Sequence, residues 1–314
     1  MYEDQFKILH GLLADACNEC MADTIALSGG LDSTILAYLL KEKKPNGIAV
    51  IADDFTATDM TYCQTASKAL GIDLHIANTG TTDILSAVDE TIKILRNFND
   101  IEIRNSVVIY LAIRMTRDSG LGRIVTGDGA DELFAGYDFL LDKPSNVLEM
   151  ELDRICRIMH FPAQCMGKSL GIAVESPFLD ADVVEFAKNI PANLKVREEN
   201  GRVYGKWILR KAFEKFIPRQ IAWRGKSPMQ DGAGTAGLTG LFDSIIRDDD
   251  FELRKKEIYE EDGVTIRTKE SLHYYAVYRR IHGRIGKCQD KACPYCRCCT
   301  GESKFCRMCG AFPI

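Results

Sequence analysis

The loop at residues 28–34, SGGLDST, combines two adjacent glycines with three hydroxyl side chains. Glycine lets a ligand approach the backbone closely, and hydroxyl groups donate hydrogen bonds to it. Where such a loop opens a helix, unpaired N–H groups and the positive end of the helix dipole also attract an anion. The pattern therefore predicts phosphate binding, although it lacks the lysine of the Walker motif. A capped strand-to-helix turn without a ligand is the alternative.

Aspartate is the second chemical signal, within this loop and again at residues 127–132, GDGADE. Asp32 beside a phosphate would repel it. A magnesium ion between the two removes that repulsion, because Mg²⁺ binds carboxylate and phosphate oxygens together. For residues 127–132, a strand-end turn with capping acids is the alternative interpretation.

Cysteine is the third signal, since seven of the 12 cysteines fall within residues 288–309. Two Cys-x-x-Cys pairs separated by nine residues are typical of a tetrahedral zinc site. We expect the zinc ligands to be Cys293, Cys296, Cys306 and Cys309. The other three, which are spare, alternative ligands or part of a second site, are Cys288, Cys298 and Cys299. A reducing compartment argues against disulfides here, and an iron–sulfur cluster is the alternative metal group.

Strand-like and helix-like segments alternate through the part of the chain that carries the two aspartate motifs. The predicted strands are 24–27, 47–52, 74–77 and 123–126, and the predicted helices are 33–41, 59–70, 81–97 and 103–118. This order is typical of a parallel sheet with helical crossovers. From about 140 to 285 the pattern is mostly helical, most clearly at 183–188, 206–216 and 269–281. The fold class is therefore predicted to be α/β.

Composition fits a globular protein of one large or two smaller domains: 314 residues, 46% hydrophobic, with a net charge of −5. No apolar run approaches a membrane span, and the first residues lack the features of a signal peptide, so we expect a cytoplasmic protein without membrane contact. Residues 279–314 carry eight basic and two acidic side chains. A basic tail on an acidic body suggests a polyanionic partner, with solvated surface charge as the alternative.

SGGLDST resembles the PP-loop of the ATP pyrophosphatase superfamily, which cleaves ATP between the α and β phosphates. Residues 126–137, TGDGADELFAGY, resemble the second signature of the asparagine synthetase family's synthetase domain. Further matching segments, in the family's order, are IRNS (103–106), SPFLD (176–180), KWILRKAF (206–213), WRGK (223–226) and YRRI (278–281). The resemblance implies a parallel-sheet PP-loop domain (adenine nucleotide alpha hydrolase-like) with helical additions. We assign residues 1–23 to an N-terminal helical segment, 24–285 to this domain and 286–314 to a zinc ribbon.

The resemblance also implies a role for individual residues. Asp32 and Asp131 would hold magnesium on the pyrophosphate, Lys226 would stabilise the charge on the departing pyrophosphate, and Arg104 would orient a phosphate or carboxylate. Lys226 and Arg104 as plain surface cations are the alternatives. The implied ATP and pyrophosphate ligands are Ser28, Gly29, Gly30, Leu31, Asp32, Ser33, Thr34 and Gly127.

Two departures from the family pattern affect the expected reaction. Family members usually carry Glu where this chain has Asp128, which we expect to act as the base for incoming ammonia. Glutamine-dependent members place a cysteine nucleophile directly after the initiator Met, whereas this chain has Tyr2. We therefore expect no glutamine hydrolysis within the chain, and ammonia that is free or supplied by a separate subunit.

The leading hypothesis is an ATP-dependent amide ligase that adenylates free aspartate or another carboxylate and transfers ammonia, with ATP, Mg²⁺ and Zn²⁺ as cofactors. The alternative is a PP-loop enzyme that modifies tRNA and binds RNA through the ribbon, because similar ribbons occur on PP-loop tRNA-modifying enzymes. An inactive family member retained as a binding module is a third hypothesis. The sequence leaves open whether the chain is a homodimer.

Overall fold

The computed structural model describes residues 2–286 and 288–314; Met1 and Lys287, one of the basic residues of the tail, lie outside the described residues. The strands are β1 (Thr24–Ala26), β2 (Asn46–Ala52), β3 (Leu74–Thr79), β4 (Arg123–Val125), β5 (Ala173–Glu175), β6 (Arg197–Glu199) and β7 (Arg202–Tyr204). The first eight helices are α1 (Glu3–Glu19), α2 (Leu31–Leu40), α3 (Met60–Leu70), α4 (Thr81–Leu95), α5 (Asp100–Asp118), α6 (Ala130–Leu133), α7 (Ser145–Ile158) and α8 (Pro162–Leu170). The others are α9 (Ala181–Asn189), α10 (Ala192–Lys195), α11 (Trp207–Phe213), α12 (Arg219–Ala222), α13 (Met229–Ala233), α14 (Leu238–Ile245), α15 (Asp248–Asp262) and α16 (Lys269–His282).

A five-stranded sheet in the order β3-β2-β1-β4-β5 contains the strands that precede both aspartate motifs. β1 pairs in parallel with β2 and with β4, so that Ile25 lies opposite Val125. β2 is buried along nearly its whole length, as expected for a parallel strand covered by helices on both faces. The carboxyl ends of β1 and β4 therefore lie side by side, which confirms the predicted α/β fold with a parallel sheet.

The chain divides into two compact units that both draw on distant parts of the sequence. The first contains Met1–Ile51, Thr58–Ala77 and Ala112–Pro228. The second contains Ala52–Ala57, Asn78–Leu111 and Met229–Ile314. The cysteine-rich segment thus belongs to the second unit together with the start of α5.

Helix α1 closes the core of the first unit. Its buried side chains recur at helical spacing, with Leu9 and Leu13 fully buried one turn apart, and the helix packs against α2, α9 and α11. Trp207, at the start of α11, lies 5.8 Å from the Phe6 ring between ring centres. This packing holds Trp207 in place and with it the preceding residue, Lys206.

Helix α16 packs against α4 and α14 in the second unit. It begins with a capping box in which the Thr268 and Ser271 side chains each bond to the other's backbone N–H. On one face, Tyr275 packs edge-on against Phe98 at 5.1 Å between ring centres. The backbone N–H of Phe98 in turn donates to the carbonyl oxygen of Met308 at 2.9 Å, so the cysteine-rich segment is bonded to the residues that precede α5.

Most long predicted elements agree with the structure to within a few residues. The clearest differences are strand β5 and the β6–β7 hairpin, each strand three residues long, which lie in the region predicted to be mostly helical. Three residues give too little periodicity to separate a strand from a loop. Within the described residues, no helix is both long and apolar enough to cross a membrane.

Candidate active site and cysteine cluster

The glycine-rich loop follows β1 and leads into α2, as the sequence predicts. Gly29 has a positive φ of 70°, and a Cβ there would overlap the backbone of Tyr62 and Cys63. Only glycine fits at that position. The Ser28 hydroxyl accepts from the Gly30 N–H at 3.2 Å and lies 3.1 Å from the Ser33 hydroxyl. The loop is thus a tight turn with its hydroxyl groups gathered at the start of α2.

Asp32 and Asp131 come together around a lysine that the sequence analysis did not select. Lys206 Nζ lies 2.5 Å from Asp32 Oδ2 and 2.7 Å from Asp131 Oδ1. Lys226 Nζ also lies 2.7 Å from Asp131 Oδ1. The Lys206 side chain is only 8% exposed, so its charge is held in place by these two carboxylates. We call the four residues the Asp–Lys cluster.

Backbone geometry brings Lys206 into this cluster. Its φ of 54° is left-handed, immediately before α11 begins at Trp207. Gly136 leaves the room for its side chain, because a Cβ on Gly136 would overlap both Asp131 and Lys206. In the sequence Lys206 stands in a segment that matches the family, but nothing in its spacing separates it from a surface cation. Its place in the cluster depends on a contact with Asp32, which is 174 residues away in the chain.

Charge and burial act in opposite directions on the two aspartates. Burial alone would raise the pKa of Asp131, but Lys206 and Lys226 together hold it well below its usual range. For Asp32, burial raises the pKa, Lys206 opposes the rise, and the neighbouring Asp131 adds to it. The cluster therefore holds two carboxylates and two ammonium groups with no net formal charge.

The donor set also fits a divalent cation. Asp32 Oδ1 is a buried carboxylate oxygen that has no hydrogen-bond partner among the described residues. Asp131 supplies a second carboxylate from α6, the short helix that follows the neighbouring strand β4. Carboxylate oxygens that leave coordination positions open to phosphate and water are what Mg²⁺ prefers. The two aspartates are therefore compatible with a magnesium ion, and the magnesium site stays a prediction.

The aromatic ring of Tyr137 also contacts Lys226. Lys226 Nζ lies 4.7 Å from the centre of the Tyr137 ring, which is a favourable position for a cation. The Tyr137 hydroxyl donates a short hydrogen bond to Glu132 Oε1. Lys226 is thus held between a carboxylate and an aromatic face, and it is not a free surface cation.

Asp128 has the electrostatics of a base that works near neutral pH. Burial raises its pKa to about 6, despite a hydrogen bond of 3.0 Å from the Thr126 hydroxyl. Thr126 also lies 3.0 Å from the hydroxyl of Ser176. At neutral pH the carboxylate is therefore mostly ionised yet able to accept a proton.

Arg104 lies in the second unit, and the side chains to which it donates hydrogen bonds belong to the same unit. It forms a short ion pair with Glu270, and it donates to Gln230 Oε1 at 2.8 Å and to the Thr239 hydroxyl at 3.0 Å. Glu270 also accepts from the Tyr274 hydroxyl at 2.8 Å. Arg104 is thus not a plain surface cation, and its role toward a phosphate or carboxylate stays a prediction.

The four cysteines selected for zinc form one buried group. The Sγ atoms of Cys293, Cys296, Cys306 and Cys309 all lie within 4.8 Å of one another. Such a group is compatible with one tetrahedral zinc ion. The ribbon is fixed by backbone contacts: Arg267 donates to the Cys309 carbonyl at 2.6 Å, and Thr265 N–H donates to the Tyr295 carbonyl at 2.7 Å.

Two of the three remaining cysteines, Cys288 and Cys299, differ from the expectation. Cys288 and Cys299 are joined by a disulfide, so neither is a thiolate for a metal, and the expectation of no disulfide is wrong for this pair. The Cα atoms of Cys288 and Cys299 lie 5.0 Å apart. Ala292 pairs antiparallel with Cys299, and the Cys288 N–H donates a hydrogen bond to the Arg297 carbonyl, which brings the two cysteines together. Cys298 remains a free, half-buried thiol.

A family model described as asparagine synthase matches residues 9–155 and 147–273. The chain belongs to the asparagine synthase family. The match includes the glycine-rich loop and all four residues of the Asp–Lys cluster, and it stops before the cysteine cluster. The resemblance stated from the motifs is thereby confirmed.

Curated asparagine synthetases are similar to most of this chain. Asparagine synthetase [glutamine-hydrolyzing] 1 of Saccharomyces cerevisiae is 28% identical over 326 residues, which cover 86% of this chain and 56% of the relative. The probable asparagine synthetase [glutamine-hydrolyzing] of Schizosaccharomyces pombe is 31% identical over 327 residues, which cover 91% and 57%. The chain thus spans about half the length of these relatives. Among solved structures, NMN synthetase from Francisella tularensis is similar over 92% of this chain and 99% of its own, with a TM-score of 0.40 and 14% identity.

Proposed function

We propose that the chain is an ATP-dependent ligase that adenylates a carboxylate and then transfers ammonia to it. A carboxylate oxygen of the acceptor attacks the α-phosphorus of ATP, the bond to the bridging oxygen breaks, and pyrophosphate leaves. Ammonia then attacks the acyl carbon, loses a proton, and AMP leaves with the acceptor's oxygen. The observation that carries this proposal is the Asp–Lys cluster beside the glycine-rich loop, within a family of synthetases.

The loop and the two lysines act on the phosphates. Residues 28–34 bind the pyrophosphate portion through N–H groups and hydroxyls at the start of α2. Lys206 and Lys226 then exchange part of their contact with the carboxylates for contact with phosphate oxygens. Asp32 and Asp131 would hold magnesium, which supplies further charge neutralisation when bound. The two ammonium groups, in a partly buried site, stabilise the negative charge that develops on the pyrophosphate as it departs.

Asp128 takes the proton from the attacking nitrogen. Its raised pKa supports this role, because a carboxylate with a pKa near 6 accepts a proton more readily than an exposed one while it remains ionised at pH 7. The family usually has Glu here, so this chain places the base one methylene nearer to the backbone. We propose that the shorter reach is part of how this enzyme selects its acceptor.

We propose a small carboxylate, with free aspartate as the first candidate, as the acceptor. The similarity to curated asparagine synthetases supports it over the tRNA alternative. Ammonia is the proposed nitrogen source. A glutaminase needs a reactive thiolate, whereas burial raises the pKa of Cys17 to about 12 and that of Cys20 to about 11. We propose that the ammonia is free or is delivered by a separate polypeptide. We also propose that the enzyme acts in the cytoplasm.

A pyrophosphate-release assay tests the proposal. The full chain is supplied with ATP, magnesium and ammonium, and aspartate is compared with other carboxylates and with total tRNA. Pyrophosphate release and AMP that depend on a small carboxylate support the proposal. Release of ADP and orthophosphate, or release that depends only on tRNA, would overturn it.

A further inference from the structure

Arg224 is a nearly buried arginine whose side chain contacts three residues in two separate parts of the first unit. Its Nη2 donates to Asp59 Oδ1 at 2.9 Å, and its Nη1 donates to the carbonyl oxygen of Gly29 at 3.3 Å. The guanidinium also lies 3.7 Å from the centre of the Tyr62 ring. Only 11% of the side chain is exposed. One side chain thus joins the start of α3 to the glycine-rich loop.

Gly29 is the residue whose backbone these contacts control. The backbone of Tyr62 closes against it on the side where a Cβ would stand, and Arg224 holds its carbonyl oxygen. That carbonyl and the N–H of Gly30 belong to the same rigid peptide plane. Holding the carbonyl therefore also fixes the direction of the N–H that leads into α2.

The charge of Arg224 is not what it contributes to the loop. Asp59 is 14% exposed and pairs directly with the guanidinium, so the two side chains together carry no net formal charge. A neutral pair attracts phosphate only weakly. The planar fork can instead bond two acceptors and stack on a ring at the same time, which a lysine cannot do.

We propose that Arg224 is a positioning residue for ATP: it holds the peptide between Gly29 and Gly30 in the orientation in which the Gly30 N–H donates to the Ser28 hydroxyl, and so keeps the loop in the shape that binds phosphate. The proposal rests on the proposed function, because it takes ATP as the ligand of the loop. Lys226 follows two residues later in the chain. The same anchor therefore also limits where Lys226 can meet Asp131.

The test compares Arg224→Lys with the matched surface variant Arg219→Lys in the full chain. Hydrogen exchange of residues 28–36 is measured without nucleotide, and KM is measured separately for ATP and for the acceptor carboxylate. Because lysine keeps the charge but loses the fork, we expect exchange about fivefold faster in this segment for Arg224→Lys. We also expect KM for ATP to rise roughly tenfold and KM for the acceptor to stay within about twofold. Arg219→Lys should match the wild type.

Tyr62→Leu provides a second variant that removes only the stacking partner. It should show the same two effects at smaller size. Wild-type exchange and wild-type KM for ATP in Arg224→Lys would overturn the positioning role. So would a lower melting temperature and kcat with no change in loop exchange or KM. If the wild type instead makes ADP and orthophosphate, the proposed function fails, while the exchange measurement still reports on the hold of Arg224 on the loop.

Discussion

Lys206 is the residue that most changes the interpretation of the site. The two carboxylates predicted to bind a cation lie in α2 and α6, the helices that follow the neighbouring strands β1 and β4, and Lys206 bridges them. Its ammonium group offsets the negative charge of both carboxylates. The sequence predicts the aspartates because glycine and acid in short motifs are distinctive. It does not predict Lys206, because a lysine becomes special only through burial and distant contacts.

Removing either aspartate should abolish most turnover. We expect Asp32→Asn or Asp131→Asn to lower kcat at least ~100-fold, since each loses a carboxylate that would hold magnesium. The measurement is pyrophosphate release at saturating ATP. Asp153→Asn, on an exposed face of α7, is the control and should remain active. Two aspartate variants with near wild-type kcat would show that the cluster is not the reaction centre.

Removing Lys206 should destabilise the fold in a way that magnesium corrects. In Lys206→Met the two carboxylates lose their shared counter-ion, which costs about 3 kcal/mol when such a buried pair is broken. Thermal unfolding with and without magnesium measures this. The loss should be largest without the metal and partly recovered with it. An equal loss under both conditions would argue against a metal at Asp32 and Asp131.

Asp128 should affect the second half-reaction alone. Its pKa of about 6 lies above the ordinary value, so the carboxylate loses its charge, and its ability to accept a proton, as pH falls through about 6. Amide formation should therefore decline below that pH, whereas ATP–pyrophosphate exchange without ammonium should not. Asp128→Asn should slow amide formation by about 10²-fold or more and spare the exchange. Equal losses in both half-reactions would place Asp128 in ATP binding instead.

At the level of elements, the cysteine cluster is hydrogen-bonded to the segments that precede α5 and α16. Phe98 N–H donates to the Met308 carbonyl at 2.9 Å, and Arg267 donates to the carbonyl of Cys309. The paired Cys-x-x-Cys spacing predicts the four cysteines of the cluster, because the turn that brings the two cysteines of each pair together is formed by neighbouring residues. It does not predict these docking contacts, nor the disulfide, which depend on the folded neighbours.

Zinc removal should loosen residues 97–104. We expect about one zinc per chain, since four thiolates complete one tetrahedral site. Without the metal a segment this short does not hold its own core, so the Phe98 N–H should exchange faster. Metal analysis and hydrogen exchange of Cys306→Ser measure both effects, with Cys156→Ser as the control outside the cluster. Loss of zinc with unchanged exchange at 97–104 would show that the ribbon does not support this segment.

At the scale of the whole molecule, the alternating pattern predicts the parallel sheet but not the division of the chain. Hydrophobic periodicity reports local elements, and alternation of strands and helices indicates parallel pairing, but neither gives the strand order β3-β2-β1-β4-β5. The second unit instead combines Ala52–Ala57, Asn78–Leu111 and Met229–Ile314. Only long-range packing brings such segments together. The predicted boundary near residue 285 rests on where the family resemblance stops, and it stays a prediction.

Ammonium, not glutamine, should support the reaction of this chain. The buried cysteines of the first unit have raised pKa values, which makes them poor nucleophiles toward glutamine. With ATP, magnesium and aspartate present, ammonium should give amide product and glutamine should give none. The check is product formation by the purified chain without a partner protein. Glutamate release from glutamine under these conditions would contradict the prediction.

Adenylation of the acceptor's carboxylate is tested most directly by an isotope experiment. Aspartate labelled with ¹⁸O in its side-chain carboxylate is incubated with the full chain, ATP, magnesium and ammonium, and the AMP is analysed by mass spectrometry. Because the attacking oxygen stays on the α-phosphorus when ammonia displaces AMP, the account predicts one ¹⁸O in the AMP for each amide formed. Amide formation with unlabelled AMP, or with ADP and orthophosphate as products, would contradict it.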